Sequence, residues 1–149
     1  MSKLFTLETA QAKVKSAQAL WNTQNAEIVA QAYTNDCVWR NRDRFFCGRE
    51  NIVAFLKEKW AKENGYRLRK ELFAFGDDKI AVQFWYEFHD ENGQWFRCYG
   101  LEDWTFDMEQ GKMRKRMMSG NDVKISENER WFTDDVVDVD SVDISEKHW

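Results

Sequence analysis

The 149 residues carry 22 Lys and Arg against 26 Asp and Glu, a net charge of −4. A chain of this length makes one ordinary domain and can bury a core without disulfides or metals. Six of its acids lie after residue 132, and without that tail 20 acids face 21 bases, so the near-neutral body offers no electrostatic case for nucleic acid or an anionic membrane.

Aromatics are abundant, with eight Trp and eleven Phe, and Pro is absent. Such side chains suit a deep core or an aromatic-lined cavity. The three cysteines, Cys37, Cys47 and Cys98, are odd in number and form no C-x-x-C pair, which reads as reduced thiols. Met1–Leu7 lacks the apolar stretch of a secretion signal, and no apolar run reaches membrane-spanning length. A cytoplasmic location is therefore expected.

In chain order, Thr6 caps a helix whose apolar face is Leu7, Ala10, Val14, Ala17 and Trp21. A second short helix is predicted over 26–33, with Ile28, Val29 and Ala32 inward. Residues 37–42 alternate as a strand, and 45–47 form a short second one. After Gly48, residues 49–63 read as a third helix, with Ile52, Phe55, Leu56 and Trp60 on one side and Asn64-Gly65 as its stop. Long strands follow over 66–75, 79–89, 94–106 and 112–121. In the second of these Ile80, Val82, Phe84, Tyr86 and Phe88 share one face, the period of an antiparallel strand with one side buried. Asn92-Gly93 marks a hairpin. Helices first and a strand meander after predict an α+β domain over 1–132. The acidic tail, 133–149, has no steady period and is expected to be a mobile arm.

Several stretches carry a resemblance: Ala19-Leu-Trp-Asn-Thr23, Trp39-Arg-Asn-Arg42, Gly48-Arg-Glu50, Ile52-Val-Ala-Phe-Leu56, Gly93-Gln-Trp-Phe-Arg97 and Tyr99-Gly100. Together with the element order they make the chain similar to the nuclear transport factor 2-like (SnoaL-like) superfamily. Within it, the chain looks like a mostly bacterial family described only as a domain of unknown function. The resemblance implies a cystatin-like cone: three N-terminal helices packed on a strongly curved antiparallel sheet, with a cavity at the open end. It also implies a two-fold dimer through the outer sheet face. Trp39-Arg40-Asn41 keeps only the Asn of the epoxide-hydrolase pattern, and no His and Asp pair matches the dehydratases, so no known catalytic set of the superfamily is complete here.

In such a cone Glu102 shares the inward face of its strand with Phe96, Trp104 and Phe106. Desolvation among aromatics raises a carboxyl pKa, which makes Glu102 the candidate general acid or base, with Tyr86 as its candidate partner. An ion pair with Arg42 or Arg116 is the alternative. The candidate pocket residues are Trp39, Asn41, Arg42, Trp60, Trp104 and Asn121. Asn41 offers an amide to a ligand or water, Arg42 a cation for a carboxylate or carbonyl, and Trp60 a wall from the third helix. Asn121 and Ser119 are placed at the mouth, and Gly100 leaves room for a bend or for a ligand near the backbone. With one His in the body, neither a metal nor a cofactor is expected. Trp85, Trp95, Arg97 and Tyr99 face outward, where aromatics and Arg suit the centre of a homodimer interface; the tail lying over this patch is the alternative. Three functions stay open at this point. The first is binding of a small, largely hydrophobic molecule in the cone. The second is a lyase, isomerase or hydrolase reaction through Glu102. The third is a dimeric interaction module.

Overall fold

A computed structural model describes residues 4–149. Helix α1 runs Leu7–Asn22, and Thr6 caps it reciprocally with Thr9, so two otherwise unpaired N–H groups are satisfied at its start. Ala10, Val14 and Trp21 lie on its buried face, whereas Leu7 projects into solvent from the first turn. Helix α2 is a single turn, Ala26–Ala30, that buries Val29 and leaves Ile28 exposed. The expected length of this helix fails because Tyr33 already belongs to strand β1, Tyr33–Asn41. Strand β2 is Arg44–Cys47 and helix α3 is Arg49–Lys62. The long strands are β3 (Asn64–Phe75), β4 (Lys79–His89), β5 (Trp95–Asp107) and β6 (Lys112–Ile125).

The six strands form one sheet in the order β2-β1-β6-β5-β4-β3. Hairpins join β3 to β6 in the predicted meander, but β1 pairs with β6 in parallel. That pairing becomes possible because α3 carries the chain from the β1–β2 edge across the concave side to β3 at the opposite edge. Irregularities in register interrupt β1, β3 and the β5–β6 ladder, where extra residues on one strand increase local bend. The concave side holds α1 and α3, and between them and the sheet lies one core rich in Trp, Tyr and Phe. Trp39 is its hub, stacked on Trp21 at 5.9 Å and meeting Tyr33 and Phe55 edge-on. Gly100 belongs to this packing: a Cβ there would sit 1.9 Å from the ring of Phe84. A neighbouring ring, rather than a bend or a ligand, uses the space that the glycine leaves.

The tail departs from the expected mobile arm. Residues 131–149 lie as a strap on the convex face of the sheet, forming a second small core of Phe132, Val139 and Ile144 with Trp85. Two single 3₁₀ turns, Val139–Ser141 and Glu146–His148, replace any regular strand. The strap is held through its backbone. The Glu87 carboxylate accepts the N–H groups of Trp131 and Phe132, Arg67 donates to the carbonyls of Thr133 and Val136, and Arg69 to that of Val142. Charge-assisted bonds of this kind are about twice as strong as neutral ones, which lets a polar segment dock without pairing as a strand. The outward residues expected at a homodimer interface sit beneath or beside this strap: Trp85 is wholly buried, Arg97 pairs with Glu87, Tyr99 bonds to His148, and Arg130 lies on Trp95. The patch is aromatic, as expected, and the chain's own C-terminal segment covers it.

Candidate functional site

The centre of the cone holds three charged side chains with almost no exposure: Lys70 from β3, Glu102 from β5 and Arg116 from β6. Each lies on the inward face of its strand, Lys70 between Leu68 and Leu72 and Arg116 ahead of Met118, so strand alternation alone drives them into the core. Lys70 Nζ donates to Glu102 Oε1. Arg116 Nε lies 2.6 Å from Oε2, off the N–H axis, so charge rather than a directed hydrogen bond holds that contact. Arg116 also donates to the Asn41 amide oxygen at 3.2 Å. Aromatic faces complete the cage. Lys70 Nζ is 4.8 Å from the Phe84 centroid, 5.2 Å from Trp21 and 5.4 Å from Trp104. The Arg116 guanidinium is 4.2 Å from Trp39 and 4.9 Å from Trp21. These contacts return part of the desolvation cost of the two cations.

The ion pair with Arg116 is the alternative weighed for Glu102, and with it the cage overturns the expectation of a raised pKa there. Burial does push the carboxyl up, but Arg116 and Lys70 together outweigh it and hold the group below the ordinary carboxylate range. The lysine bears the opposite cost: burial lowers Lys70 to about 8, against the pull of Glu102. A carboxylate with both oxygens facing cations is a poor general base and carries no proton to donate. Nor is Tyr86 its partner. Tyr86 pairs across the ladder with Cys98, four residues along β5 from Glu102, roughly 13 Å at strand rise.

Tyr86 instead belongs to a second polar cluster. Arg42 occupies the turn between β1 and β2 with φ 59, a left-handed conformation that swings its guanidinium toward β5 and β6. Its Nη2 donates to Asp122 at 2.7 Å, to the Tyr86 hydroxyl at 3.2 Å and to Cys98 Sγ at 3.3 Å. From α3, the ammonium of Lys59 lies 4.0 Å from the Tyr86 ring centroid and pairs with Glu63 at 2.8 Å. Burial drives the Cys98 thiol up to about 12 and the Tyr86 phenol well above its usual value, so both stay protonated at neutral pH. Neither is a nucleophile there.

The remaining predicted residues divide. Trp39, Asn41 and Trp104 wall the cage, and Trp60 meets Trp21 edge-on at 5.8 Å from α3. Asn121 is not a cone residue. It pairs with Tyr99 on the convex face, as Ser119 does with Leu101, because Met118, Gly120 and Asp122 take the inward positions of β6. Lys70 was legible in principle: a lysine in phase with Leu68 and Leu72 requires a buried partner.

With the cone centre filled, space remains at one end. A mostly apolar pocket of about 110 Å³ opens between α1 and the sheet, lined by Ala17, Leu20 and Trp21 of α1, Tyr33 of β1, and Trp104 and Phe106 of β5. Met113 closes its side and Lys13 stands at its rim. Trp21 and Trp104 are thus shared walls, with the pocket on one side and the charged cage against their rings. The grooves lined by Gln18 and Asn22, by Arg44 and Phe55, by Thr23 and Trp60, and by Trp85 and Tyr99 are more open to solvent than this pocket.

A bent sheet enclosing helices gives the chain the nuclear transport factor 2-like fold. More narrowly, the chain belongs to the DUF1348 family of proteins of unknown function, whose profile matches residues 3–133. No curated protein matches it. Among solved structures it is similar to SalBIII, an epoxide hydrolase/cyclase-like enzyme of pyran ring formation in the polyether salinomycin, at 13% identity, 76% of this chain, 92% of that chain and a TM-score of 0.67. A nuclear transport factor 2-like protein of unknown function from Burkholderia pseudomallei matches at 16% identity, 75% and 90% coverage and a TM-score of 0.67. A protein with a ketosteroid isomerase-like fold from Catenulispora acidiphila, solved with trimethylamine, matches at 13% identity, 72% and 84% coverage and a TM-score of 0.64. At such identities the likeness carries the fold alone.

Proposed function

We propose that the protein binds a small, largely hydrophobic molecule in the pocket between α1 and the sheet, and that Glu102 serves the architecture of that pocket rather than a proton transfer. The observation that carries this reading is the enclosed apolar space against Trp21 and Trp104, where the aromatic core is left unfilled. Concave, mostly apolar sites with a few polar groups are where proteins take small ligands. The cage behind the wall fixes both indoles from the rear, so the pocket is shaped before a ligand arrives, and less ordering is left to oppose binding.

The test is a titration of neutral one-ring compounds, toluene and benzyl alcohol, followed by the indole N–H resonances in a two-dimensional NMR spectrum. The Trp21 and Trp104 signals are expected to shift in the wild type and not in Ala17→Phe, which places a ring in the pocket. Shifts that persist in Ala17→Phe, or none in either protein, would remove this reading. The likeness to SalBIII keeps turnover as the competing use of the cone, and the fully paired state of Glu102 argues against that residue as its acid or base.

A further inference from the structure

The rim and the back wall of the pocket carry the same sign of charge. At the rim, Lys13 Nζ donates to the Gly111 carbonyl at 3.3 Å and lies 5.6 Å from the Phe106 centroid. Among the described residues it has no carboxylate within 4.0 Å, unlike Lys15, which meets Glu71 and Asp140 from the same helix. Behind the wall, the cage sets two cations, Lys70 and Arg116, against the single carboxylate of Glu102. The excess positive charge lies in a medium of low dielectric, where little screens it. Asp107, the acid of the adjoining turn, makes no ion pair with Lys13 among the described residues; its carboxylate faces the backbone N–H groups of Glu109 and Gln110. A pocket bounded by unanswered positive charge at its mouth and in its back wall favours an anion over a neutral molecule or a cation of equal size. The volume limits the rest of the ligand. An apolar cavity of about 150 Å³ accepts benzene, so this smaller space, open at one end, admits one ring or a short branched chain and leaves a polar head at the rim.

We infer that the ligand is a small carboxylic acid with a single-ring or short branched apolar body, the body against Trp21 and Trp104 and the carboxylate at Lys13. This rests on the pocket reading above and narrows it to one chemical class. The carboxylate would replace the lone carbonyl contact of Lys13 with a charge-assisted pair. The indole walls receive the body without needing hydrogen bonds from it.

The experiment compares benzoate with benzyl alcohol, which has nearly the same shape and no charge, by calorimetry and NMR on the full chain at low salt. Benzoate is expected to bind about tenfold more tightly, the size of effect that one charge-assisted hydrogen bond supplies. Lys13→Met is expected to remove that advantage, bringing benzoate to the affinity of benzyl alcohol, and Ala17→Phe to abolish binding of both. Equal affinity for the two compounds in the wild type would overturn the acid preference while the pocket reading stands. Absence of binding by either compound would overturn both. An advantage for benzoate that survives Lys13→Met, in a protein of unchanged melting temperature, would place the anion elsewhere and overturn the assignment to the rim.

Discussion

Glu102 shows how one residue's chemistry is decided by what arrives beside it. On its own strand it is a carboxyl among Phe96, Trp104 and Phe106, and desolvation would keep it neutral. The neighbours that reverse this come from β3 and β6, 32 and 14 residues away in sequence. Once Lys70 and Arg116 are in place the carboxylate is needed as the one anion between two buried cations. Glu102→Gln should therefore destabilise the fold by roughly 3–5 kcal/mol, the usual cost of leaving buried charge without its partner, as read by urea denaturation. The pH dependence has a definite sign. The folded pKa lies below the ordinary value of 4.5, so the contribution is present above pH 4.5 and is lost as pH falls through the folded pKa. The wild-type stability profile should steepen on that acid side and the Gln variant's should be flatter. A Gln variant as stable as the wild type would mean that the cage does not depend on the charge.

At the scale of elements, the strap is the part whose behaviour differs most from its composition. Asp140 meets Lys15 and Arg69 of the body, and most of the remaining grip is on backbone groups. Its last turn closes on His148, whose carbonyl accepts the Trp85 indole N–H and whose Nδ1 lies 2.7 Å from the Tyr99 hydroxyl. Partial burial, then the charges of Arg97 and Lys147, hold this imidazole below its usual pKa of 6.5. A depressed histidine pKa means that the docked strap prefers the neutral ring. Its contribution is complete above pH 6.5 and falls away as pH drops from there through the folded value. The Trp85 indole N–H resonance should move toward a free position as pH is lowered from 7 to 5. His148→Gln should flatten that response. An identical pH profile in the variant would assign the effect to other groups.

At the scale of the whole molecule, the cone and the strap place the two sheet faces in different roles. The concave face packs the helices and the cage, and the convex face is the bed of the strap. Any self-association through Trp85 and Tyr99 has to displace residues 131–149 first. Deleting those residues should lower the melting temperature, because it uncovers Trp85 and leaves the buried Glu87–Arg97 pair in water on one side. It should also raise the sedimentation coefficient in a concentration-dependent way. A truncated chain that stays monomeric up to high concentration would show that this face is not an interface even when bare.

Much of the fold was legible because it is written in short periods. The cap of α1, the alternation of Ile80, Val82, Phe84, Tyr86 and Phe88, and the Asn92-Gly93 turn each need only their own neighbours in the chain and are found as read, whereas Leu7 of the expected α1 face lies in solvent. The site was legible only in part. Trp39, Asn41, Trp104 and Glu102 were singled out and do gather in the cage, but the same reading paired Glu102 with Tyr86 and set Asn121 at the mouth. Those errors have two causes. Tyr86 and Glu102 do share the inward side, but they stand at different levels of the ladder, Tyr86 opposite Cys98; Asn121 changes side because β6, after its register irregularity, turns Met118, Gly120 and Asp122 inward.

The amino-acid order by itself determined the elements, the α+β class and the aromatic interior, since backbone hydrogen bonding and local alternation of apolar residues act over a few positions. Tertiary structure alone decided the rest. It brought Lys70 and Arg116 to the two oxygens of Glu102, laid an acidic tail on a face rich in Trp, Tyr and Arg, and left a gap in the packing beside Lys13. Each of these depends on distances between residues far apart in the chain, and both electrostatic pairing and close packing are functions of distance in space rather than of position in sequence.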